Sequence, residues 1–272
     1  MTESSGWQLS GSASEAYERY IVQAFMQGWT HALIETANLA AGACVLDVAC
    51  GTGVVARLVA TRVGQKGRVV GVDFNTSMLA TARMLPQSLS GVSVEWREGN
   101  VTALPFPEAT FDAVLCQQGL QFFPDRLAAL REMYRVLVPG GRLGLSVWRP
   151  LRQNPYMAAL GDALERRVNA EVATGMRTVC SMGDAEALRS LLLQAGFRDA
   201  RISIQILVMR FASVETFVPE QFAATPFAGT IAALDANARS ALLEDVRMAL
   251  RSYTDDAGVA VPNEAHVAVA HT

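Results

Sequence analysis

The stretch VLDVACGTGVVARL, residues 45–58, decides how this sequence folds. Its first residues form an apolar run that is typical of a buried strand, and its last residues have the apolar spacing of a helix. Gly51 and Gly53 lie between them, where glycine permits a tight turn and a close approach of the backbone to a ligand. With Ala56 they satisfy the pattern G-x-G-x-x-[GA], so a dinucleotide is one candidate ligand.

Strand-like apolar runs recur along the first half of the chain, and segments with helical spacing separate them. The predicted strands cover residues 44–49, 68–73, 92–98, 111–117 and 142–148. The predicted helices run from Thr52 to about Arg62, from Asn75 or Thr76 to Met84, and from Asp125 to the PGG turn at 139–141. This alternation predicts a parallel sheet with helices on both faces.

The second half of the chain has a different order of predicted helices and strands. Helical spacing covers residues 154–172, 184–197 and 236–253, whereas residues 201–211 and 258–270 have the alternation of strands. Two strands are too few for a separate α/β domain, so we expect them to join the first sheet as an antiparallel pair. The prediction is an α/β, Rossmann-like, doubly wound sheet of seven mostly parallel strands in the order 3-2-1-4-5-7-6.

We therefore expect residues 1–272 to form a single domain. Helical spacing over residues 12–39 predicts one or two amphipathic cap helices within residues 1–42. A cofactor-binding core is expected at residues 43–150. Residues 151–272 are expected to complete the sheet and to supply a helical substrate lid.

The composition excludes several chemistries. Lys66 is the only lysine among the 23 basic residues, and its surroundings, VGQKGR, fit neither a phosphate-binding loop nor a Schiff-base site. The three histidines, His31, His266 and His271, are too few for a histidine-rich metal site, so no metal is expected. A net charge of −3 argues against a nucleic-acid partner and favours a small-molecule substrate.

Other sequence features concern the compartment. The four cysteines form no C-x-x-C pair, so reduced and buried thiols are expected. The start of the chain lacks the pattern of a secretory signal, and no apolar run reaches the roughly 18 residues of a membrane span. We therefore expect a cytoplasmic protein without a membrane span. The oligomeric state stays open, a homodimer included.

Asp47 distinguishes between the candidate ligands. It lies four residues before Gly51, at the carboxyl end of the strand, where the ligand of such a fold binds. A carboxylate there repels a pyrophosphate but attracts the ammonium and sulfonium groups of S-adenosylmethionine. Asp73, at the end of the second strand, can accept both ribose hydroxyls and so supports an adenosine ligand of either kind.

Four segments together resemble the class I S-adenosylmethionine-dependent methyltransferases, in the branch that includes the quinone-biosynthesis C-methyltransferases. They are VLDVACGTG, GVDFNTSMLATAR, GNVTALPFPEATFDAVLCQQGLQFFPD and ALREMYRVLVPGGRLGLSVW, and the similarity covers residues 12–150. It implies S-adenosylmethionine as cofactor, S-adenosylhomocysteine as product and methyl transfer to a small molecule. The resemblance is specific for the cofactor and says little about the acceptor.

The resemblance also implies the residues that contact the cofactor. Ala49 replaces the first glycine of the family's loop, and Asn100 replaces its usual aspartate beside the adenine. The amide oxygen of Asn100 can accept the same hydrogen bond without a charge. The full expected set is Tyr17, Asp47, Ala49, Cys50, Gly51, Gly53, Asp73, Phe74, Met78, Asn100, Val101, Gln117 and Gln118, with residues 120–123 packing nearby.

The sequence identifies no catalytic base. A sulfonium cofactor brings its own electrophile, so proximity and in-line orientation are the expected mechanism. Tyr17, His31 and Gln118 are the candidates for a further catalytic role, while Trp29 is a second candidate to cover the cofactor and His266 reaches the cleft only if the last strand points it there. Apolar residues of the lid favour an aromatic or similarly apolar acceptor: Trp148, Tyr156, Met157, Met176, Met182, Phe217, Phe222 and Phe227.

Two alternatives remain at this point. One is an NAD(P)-dependent oxidoreductase, which the position of Asp47 disfavours. The other is a protein that binds S-adenosylmethionine without transferring its methyl group, either a regulatory subunit or a pericyclase-like relative.

Overall fold

The computed structural model of the protein describes Leu9 and residues 11–86 and 92–272. The absence of a secretory signal was predicted on residues 1–20, of which residues 1–8 and 10 lie outside this range. The described amino-terminal region is a continuous helical segment. It consists of α1 (Ser12–Ala16), a π-helix (Tyr17–Met26) and α2 (Gln27–Ala37).

Strands and helices then alternate as the sequence predicts. The first half contains β1 (Cys44–Val48), α3 (Val54–Val63), β2 (Arg68–Asp73), α4 (Thr76–Met84), β3 (Val94–Glu98), β4 (Phe111–Gln117), α5 (Arg126–Val136) and β5 (Leu137–Trp148). The second half contains α6 (Pro155–Arg167), α7 (Ala170–Arg177), α8 (Ala185–Gln194), β6 (Arg198–Phe211), α9 (Val214–Ala223), α10 (Ala228–Ala232), α11 (Ala236–Ala249), β7 (Thr254–Asp255) and β8 (Gly258–His271).

The sheet has the predicted order. Its strands follow one another as β3-β2-β1-β4-β5-β8-β6, and the first five are parallel. The long strand β8 pairs antiparallel with both β5 and β6, which confirms the insertion of the final strand between them. The two-residue strand β7, which the sequence did not predict, forms a hairpin with β8.

Several predicted boundaries were wrong, among them the start of β6, which lies at Arg198 rather than at residue 201. The single helix expected at residues 154–172 is divided into α6 and α7, because the side chain of Asn169 accepts from Val172 N at 2.8 Å and starts a new helix. Strand β5 begins at Leu137 rather than at residue 142, since Leu137 already pairs with Phe111. Strand β3 begins at Val94, two residues later than predicted.

Both predicted helix caps beside the ligand-binding edge are confirmed. The side-chain oxygen of Asn75 accepts from the N–H groups of Ser77 and Met78 at 3.0 and 3.1 Å, at the start of α4. The Asp125 carboxylate accepts from Ala128 N at 2.9 Å, at the start of α5. Each cap satisfies N–H groups that have no partner inside the helix.

The amino-terminal helices are anchored on the sheet. Leu33 of α2 is fully buried among side chains of β1, β4 and α3. A Cβ atom placed on Gly144 of β5 would lie 3.2 Å from the Cβ of Ala37 and 3.4 Å from Cδ1 of Leu33. The absence of a side chain at Gly144 therefore lets α2 lie close to the strands.

Among the described residues, no helix combines the length and the apolar character that crossing a membrane requires.

We predict that Leu33→Ala destabilises the protein by about 2–5 kcal/mol, because it removes a fully buried side chain and leaves a cavity between α2 and the sheet. Chemical denaturation measures the change. Glu35→Ala, at an exposed position of the same helix, is the matched control and should change the free energy of unfolding by less than about 0.5 kcal/mol. Equal effects of the two substitutions would contradict the packing of α2 on the sheet.

Candidate active site

One cavity of about 840 Å³ opens at the carboxyl ends of β1, β2 and β4. This is the edge of an open parallel sheet at which ligands bind in doubly wound folds. The π-helix covers it from one side, and α6, α7 and α9 of the second half contribute further walls. The apolar part of its lining includes Ile21, Phe25, Met26, Phe122, Phe123, Trp148, Met157, Met176 and Val179.

The glycine turn is built on unusual backbone angles. Gly51 has a φ of 55° and Gly53 a φ of 87°, in the left-handed region that glycine adopts without strain. Ala49 has a φ of 55° as well, which costs an L-residue about 1–2 kcal/mol. The sequence identified Ala49 as a small residue at a glycine position but did not show this strain.

The Asp73 carboxylate holds the turn in place. Its Oδ2 accepts from Gly51 N at 2.7 Å, and its Oδ1 accepts from Asn75 N at 2.8 Å. Asp73 lines the cavity, and burial raises the pKa of its carboxyl group. Asp73 thus lies at the end of β2, as predicted. Its carboxylate also holds the glycine turn in place, which the sequence did not show.

Gly53 does not line the cavity, although we predicted that it contacts the cofactor. The space next to its Cα is filled by the indole ring of Trp96 in β3, which a Cβ atom at this position would overlap. Position 53 therefore requires glycine because the turn packs closely against Trp96 of β3. Gly51, by contrast, lines the cavity and has open space where a Cβ atom would lie.

Asp47 is a buried carboxylate with an unsatisfied oxygen. Its side chain is 1% exposed, and Oδ2 accepts from Ala56 N at 3.0 Å. Oδ1 has no hydrogen-bond partner among the described residues. Burial, and to a smaller extent the charge of Asp73, raises the pKa of Asp47 well above its usual range. Asp47 lines a small pocket that shares Tyr17, Ala49, Gly51 and Gln117 with the main cavity.

Cys50 lies in the same small pocket. Burial raises the pKa of its thiol well above the usual range, so the group is a neutral packing atom rather than a nucleophile. All four cysteines are free, as predicted, but Cys44 is only partly buried.

The wall that follows β2 and β3 is suited to a planar ring. Phe74 is 59% exposed and lines the cavity together with Met78 and Val101. Asn100 lies there too, but its Oδ1 accepts from both N and Oγ1 of Thr102 at 2.9 Å. Both acceptor positions of this oxygen are therefore used within the loop, so the predicted hydrogen bond from an adenine amino group would have to replace one of them.

The π-helix is attached to the glycine turn. Oε1 of Glu18 accepts from Nη2 of Arg57 at 2.6 Å, and its Oε2 accepts from Oγ1 of Thr52 at 2.5 Å. The neighbouring residue, Tyr17, lines both pockets. Burial and the charges of Glu18 and Asp73 raise the pKa of its phenol, so Tyr17 is a neutral hydrogen-bonding group that covers this part of the cavity.

Glutamines line the cavity at the end of β4 and beyond it. Gln117 and Gln118 were predicted here and are 9% and 5% exposed. Gln121, which is 2% exposed, was predicted only to pack nearby, as one of residues 120–123, and Gln221 of α9 was not predicted. The sequence QQGLQ does contain a signal for Gln121. A polar residue within an apolar segment is seldom buried without a hydrogen-bond partner, so its side chain is expected to face a site that can supply one. Gln221 carries no comparable signal, because only the tertiary fold brings α9 to the cavity.

The predicted lid residues are divided between the cavity and the core. Trp148, Met157 and Met176 line the cavity. The other predicted lid residues bury the second half of the chain: Tyr156, Met182, Phe217, Phe222 and Phe227. The Tyr156 hydroxyl donates to Oε1 of Gln221, which fixes that side chain from behind the cavity wall.

Neither histidine candidate reaches the cavity. His31 lies on the exposed side of α2. His266 is buried in β8, where its Nε2 is 2.9 Å from the Gly183 carbonyl oxygen, and burial lowers its pKa. Trp29 is buried against Trp148 with ring centroids 5.1 Å apart, as a core residue rather than a cover of the cavity. Among the described residues, no three His, Cys, Asp or Glu side chains form a cluster that could hold a metal.

Comparison with known proteins assigns the chain to a family. A methyltransferase domain family matches residues 45–141. The chloroplastic 2-phytyl-1,4-beta-naphthoquinone methyltransferase of Arabidopsis thaliana is 41% identical over 190 residues, which are 63% of this chain and 70% of that protein. The chain is a class I S-adenosylmethionine-dependent methyltransferase by family. It belongs to the branch that contains the quinone-biosynthesis enzymes, and the cofactor of this family is S-adenosylmethionine.

Other relatives extend the comparison. The 2-phytyl-1,4-naphtoquinone methyltransferase of Thermosynechococcus vestitus is 44% identical over 117 residues, which are 43% of this chain and 51% of that protein. This methyltransferase chain thus spans about half the length of several curated relatives that it matches. The fold also resembles that of phosphoethanolamine N-methyltransferase 2 of Haemonchus contortus in complex with S-adenosyl-L-methionine, with a TM-score of 0.59, 20% identity, and coverage of 94% of this chain and 56% of that one.

We predict that Gly53→Ala destabilises the methyltransferase more than Gly51→Ala. Both substitutions place a side chain at a positive φ, which costs about 1–2 kcal/mol, but only the first also forces Trp96 to move. Thermal unfolding of the two variants provides the comparison. Replacing Trp96 by Leu in the Gly53→Ala background should recover part of the loss, and similar melting temperatures for the two single variants would contradict the packing of Gly53 on Trp96.

Proposed function

We propose that the protein transfers a methyl group from S-adenosylmethionine to a small, largely apolar aromatic acceptor of the quinone type. One observation carries this proposal: a single continuous cavity joins the glycine turn and Asp73 to the apolar walls formed by the lid. A cofactor held at the first end, beside the glycine turn and Asp73, leaves space for an acceptor at the second end, beside the lid. Residues 43–150 would then hold the cofactor, and residues 151–272 would complete the sheet and bind the acceptor.

The residues at the first end fit the cofactor. The unpaired Oδ1 of Asp47 offers a buried negative partner for an ammonium group, which stabilises the ionised carboxylate. The same oxygen would repel a pyrophosphate, so the site suits NAD(P) poorly. Exposed Phe74 and the neighbouring Met78 offer apolar surface to an adenine ring.

The apolar walls and the relatives agree on the kind of acceptor. The lid side of the cavity is lined by apolar side chains, among them Phe122, Trp148, Met157 and Met176. Two curated relatives are named as methyltransferases of 2-phytyl naphthoquinones, which are aromatic molecules with a long apolar chain. A naphthoquinone is therefore the acceptor class with which to begin.

The chain's own contribution to the reaction is positional. When bound, the cofactor supplies an activated methyl group with a neutral leaving group. The walls orient an acceptor and exclude water, and Tyr17 covers the cofactor end. Among the described residues that line the cavity, only Asp73 and Asp125 are charged, and both accept hydrogen bonds from backbone N–H groups. We therefore assign no general base.

Methyl transfer tests the proposal directly. Labelled S-adenosylmethionine and 2-phytyl-1,4-naphthoquinone, offered in oxidised and reduced form, should yield a product heavier by one methyl group. Asp73→Ala should weaken S-adenosylhomocysteine binding more than about tenfold, because both the ribose acceptor and the support of Gly51 are lost. Calorimetric titration measures that affinity.

Glu98→Ala is the matched control, since Glu98 is an exposed acid in the neighbouring strand position and lies outside the cavity lining. It should leave the affinity unchanged. Tight binding of NAD(P) with none of S-adenosylhomocysteine would replace the proposal by an oxidoreductase. Binding of S-adenosylhomocysteine without methylation of any aromatic acceptor would favour a non-catalytic or pericyclase-like protein.

Cofactor binding should also release protons at pH values below the raised pKa of Asp47. Burial raises the pKa of Asp47 in the free protein, and a bound ammonium group lowers it again, so the carboxyl group ionises on binding. The affinity should accordingly rise with pH up to the raised pKa and then level off. Titrations in buffers of different ionisation enthalpy count the protons released.

Asp47→Asn should release fewer protons than the parent protein and should flatten the rise of affinity with pH. Glu98→Gln, at the exposed control position, should leave both quantities as they are. An unchanged proton release in Asp47→Asn would show that the cationic group of the ligand does not face Asp47.

A further inference from the structure

Three amide side chains, in the last residue of β4 and in the segment that follows it, have buried polar atoms without partners among the described residues. They are Oε1 of Gln117, Nε2 of Gln118 and Oε1 of Gln121, and all three residues line the cavity. Buried polar atoms in folded proteins nearly always have a hydrogen-bond partner. Each unsatisfied atom is therefore a position at which a ligand can supply the missing bond.

Gln118 and Gln121 form a pair with a defined hydrogen-bonding capacity. Nε2 of Gln121 donates to Oε1 of Gln118 at 3.4 Å, which leaves one amide nitrogen and one amide oxygen of the pair without a partner. Exchanging oxygen and nitrogen in both amides gives the same result, because the bond then runs in the other direction. In either arrangement, the pair has one amide nitrogen and one amide oxygen without a partner.

The backbone holds the pair in place. Gln118 has a φ of 53°, in the left-handed region, and its N–H donates to the Ser146 carbonyl oxygen of β5 at 2.9 Å. A non-glycine residue in this conformation is strained, and such strain clusters at functional sites. Gly119 follows, where a Cβ atom would lie 2.9 Å from the Cβ of Ala49 and from Sγ of Cys116. The chain thus has little freedom to move either amide away from the cavity.

We propose that the Gln118–Gln121 pair binds a hydroxyl group of the acceptor. A hydroxyl group can donate to the unpartnered amide oxygen and accept from the unpartnered amide nitrogen, so it can satisfy both atoms. Both amides are neutral, so they suit a neutral hydroxyl group better than an ionised one. The two residues are positioning residues that orient an aromatic ring in the apolar cavity, and this inference rests on the proposed function.

The test compares two probes of nearly equal shape, 1-naphthol and 1-methylnaphthalene, by calorimetric titration of the protein saturated with S-adenosylhomocysteine. The parent protein should bind 1-naphthol about tenfold more tightly than 1-methylnaphthalene. The hydroxyl group can form hydrogen bonds with both amides, whereas the methyl group would leave both amide atoms unsatisfied. Gln118→Leu and Gln121→Leu should lose this preference. Gln118→Met and Gln121→Met repeat the test with unbranched side chains if a leucine variant fails to fold.

Gln194→Leu, at an exposed position of α8, is the matched control and should keep the preference of the parent protein. The affinity for S-adenosylhomocysteine should stay unchanged in the Gln121 variants, which separates the two proposals. Loss of S-adenosylhomocysteine binding by the parent protein would overturn the proposed function. Normal S-adenosylhomocysteine binding with no preference for 1-naphthol, or with no binding of either probe, would overturn the role of the glutamine pair alone.

Discussion

A single carboxylate organises the ligand-binding edge of the sheet. Asp73 accepts from the N–H of Gly51, in the turn after β1, and from the N–H of Asn75, at the start of α4. Hydrogen bonds to an ionised acceptor are stronger than those between neutral groups, so one partly buried side chain ties two loops to each other. The position of Gly51 and the Asn75 cap both depend on these two bonds. The part of the cavity that they border is therefore prepared before any ligand arrives.

Much of this arrangement could be predicted because the relevant signals are short in sequence. The turn through Gly51, the Asn75 and Asp125 caps and the five parallel strands each depend on residues within a few positions of one another. The insertion of β8 between β5 and β6 was also predicted, since two late strands had only one sheet to join. The family resemblance then supplied the cofactor, which the glycine pattern alone left open.

The features that the sequence did not show depend on contacts between distant segments. Gly53 occupies a position of the glycine pattern that predicts ligand contact, yet Trp96 of β3 fills the space beside it. Several aromatic residues of the lid are buried in the core because Tyr156 packs against Phe211 and Phe217, which periodicity does not reveal. The hydrogen bond between Gln118 and Gln121 could be recognised only from the side-chain positions, although the two residues lie in one short segment.

The place of β8 in the sheet has a consequence for folding. Arg142 of β5 and His271 of β8 are neighbours joined by a side-chain hydrogen bond, although 129 positions separate them along the chain. Until residues 258–271 have joined, β5 has an open edge and β6 has no neighbour in the sheet. Pairing over such a sequence distance is slow, and an uncovered apolar edge promotes aggregation in the meantime. The chain is therefore most prone to aggregate in the interval before this closure.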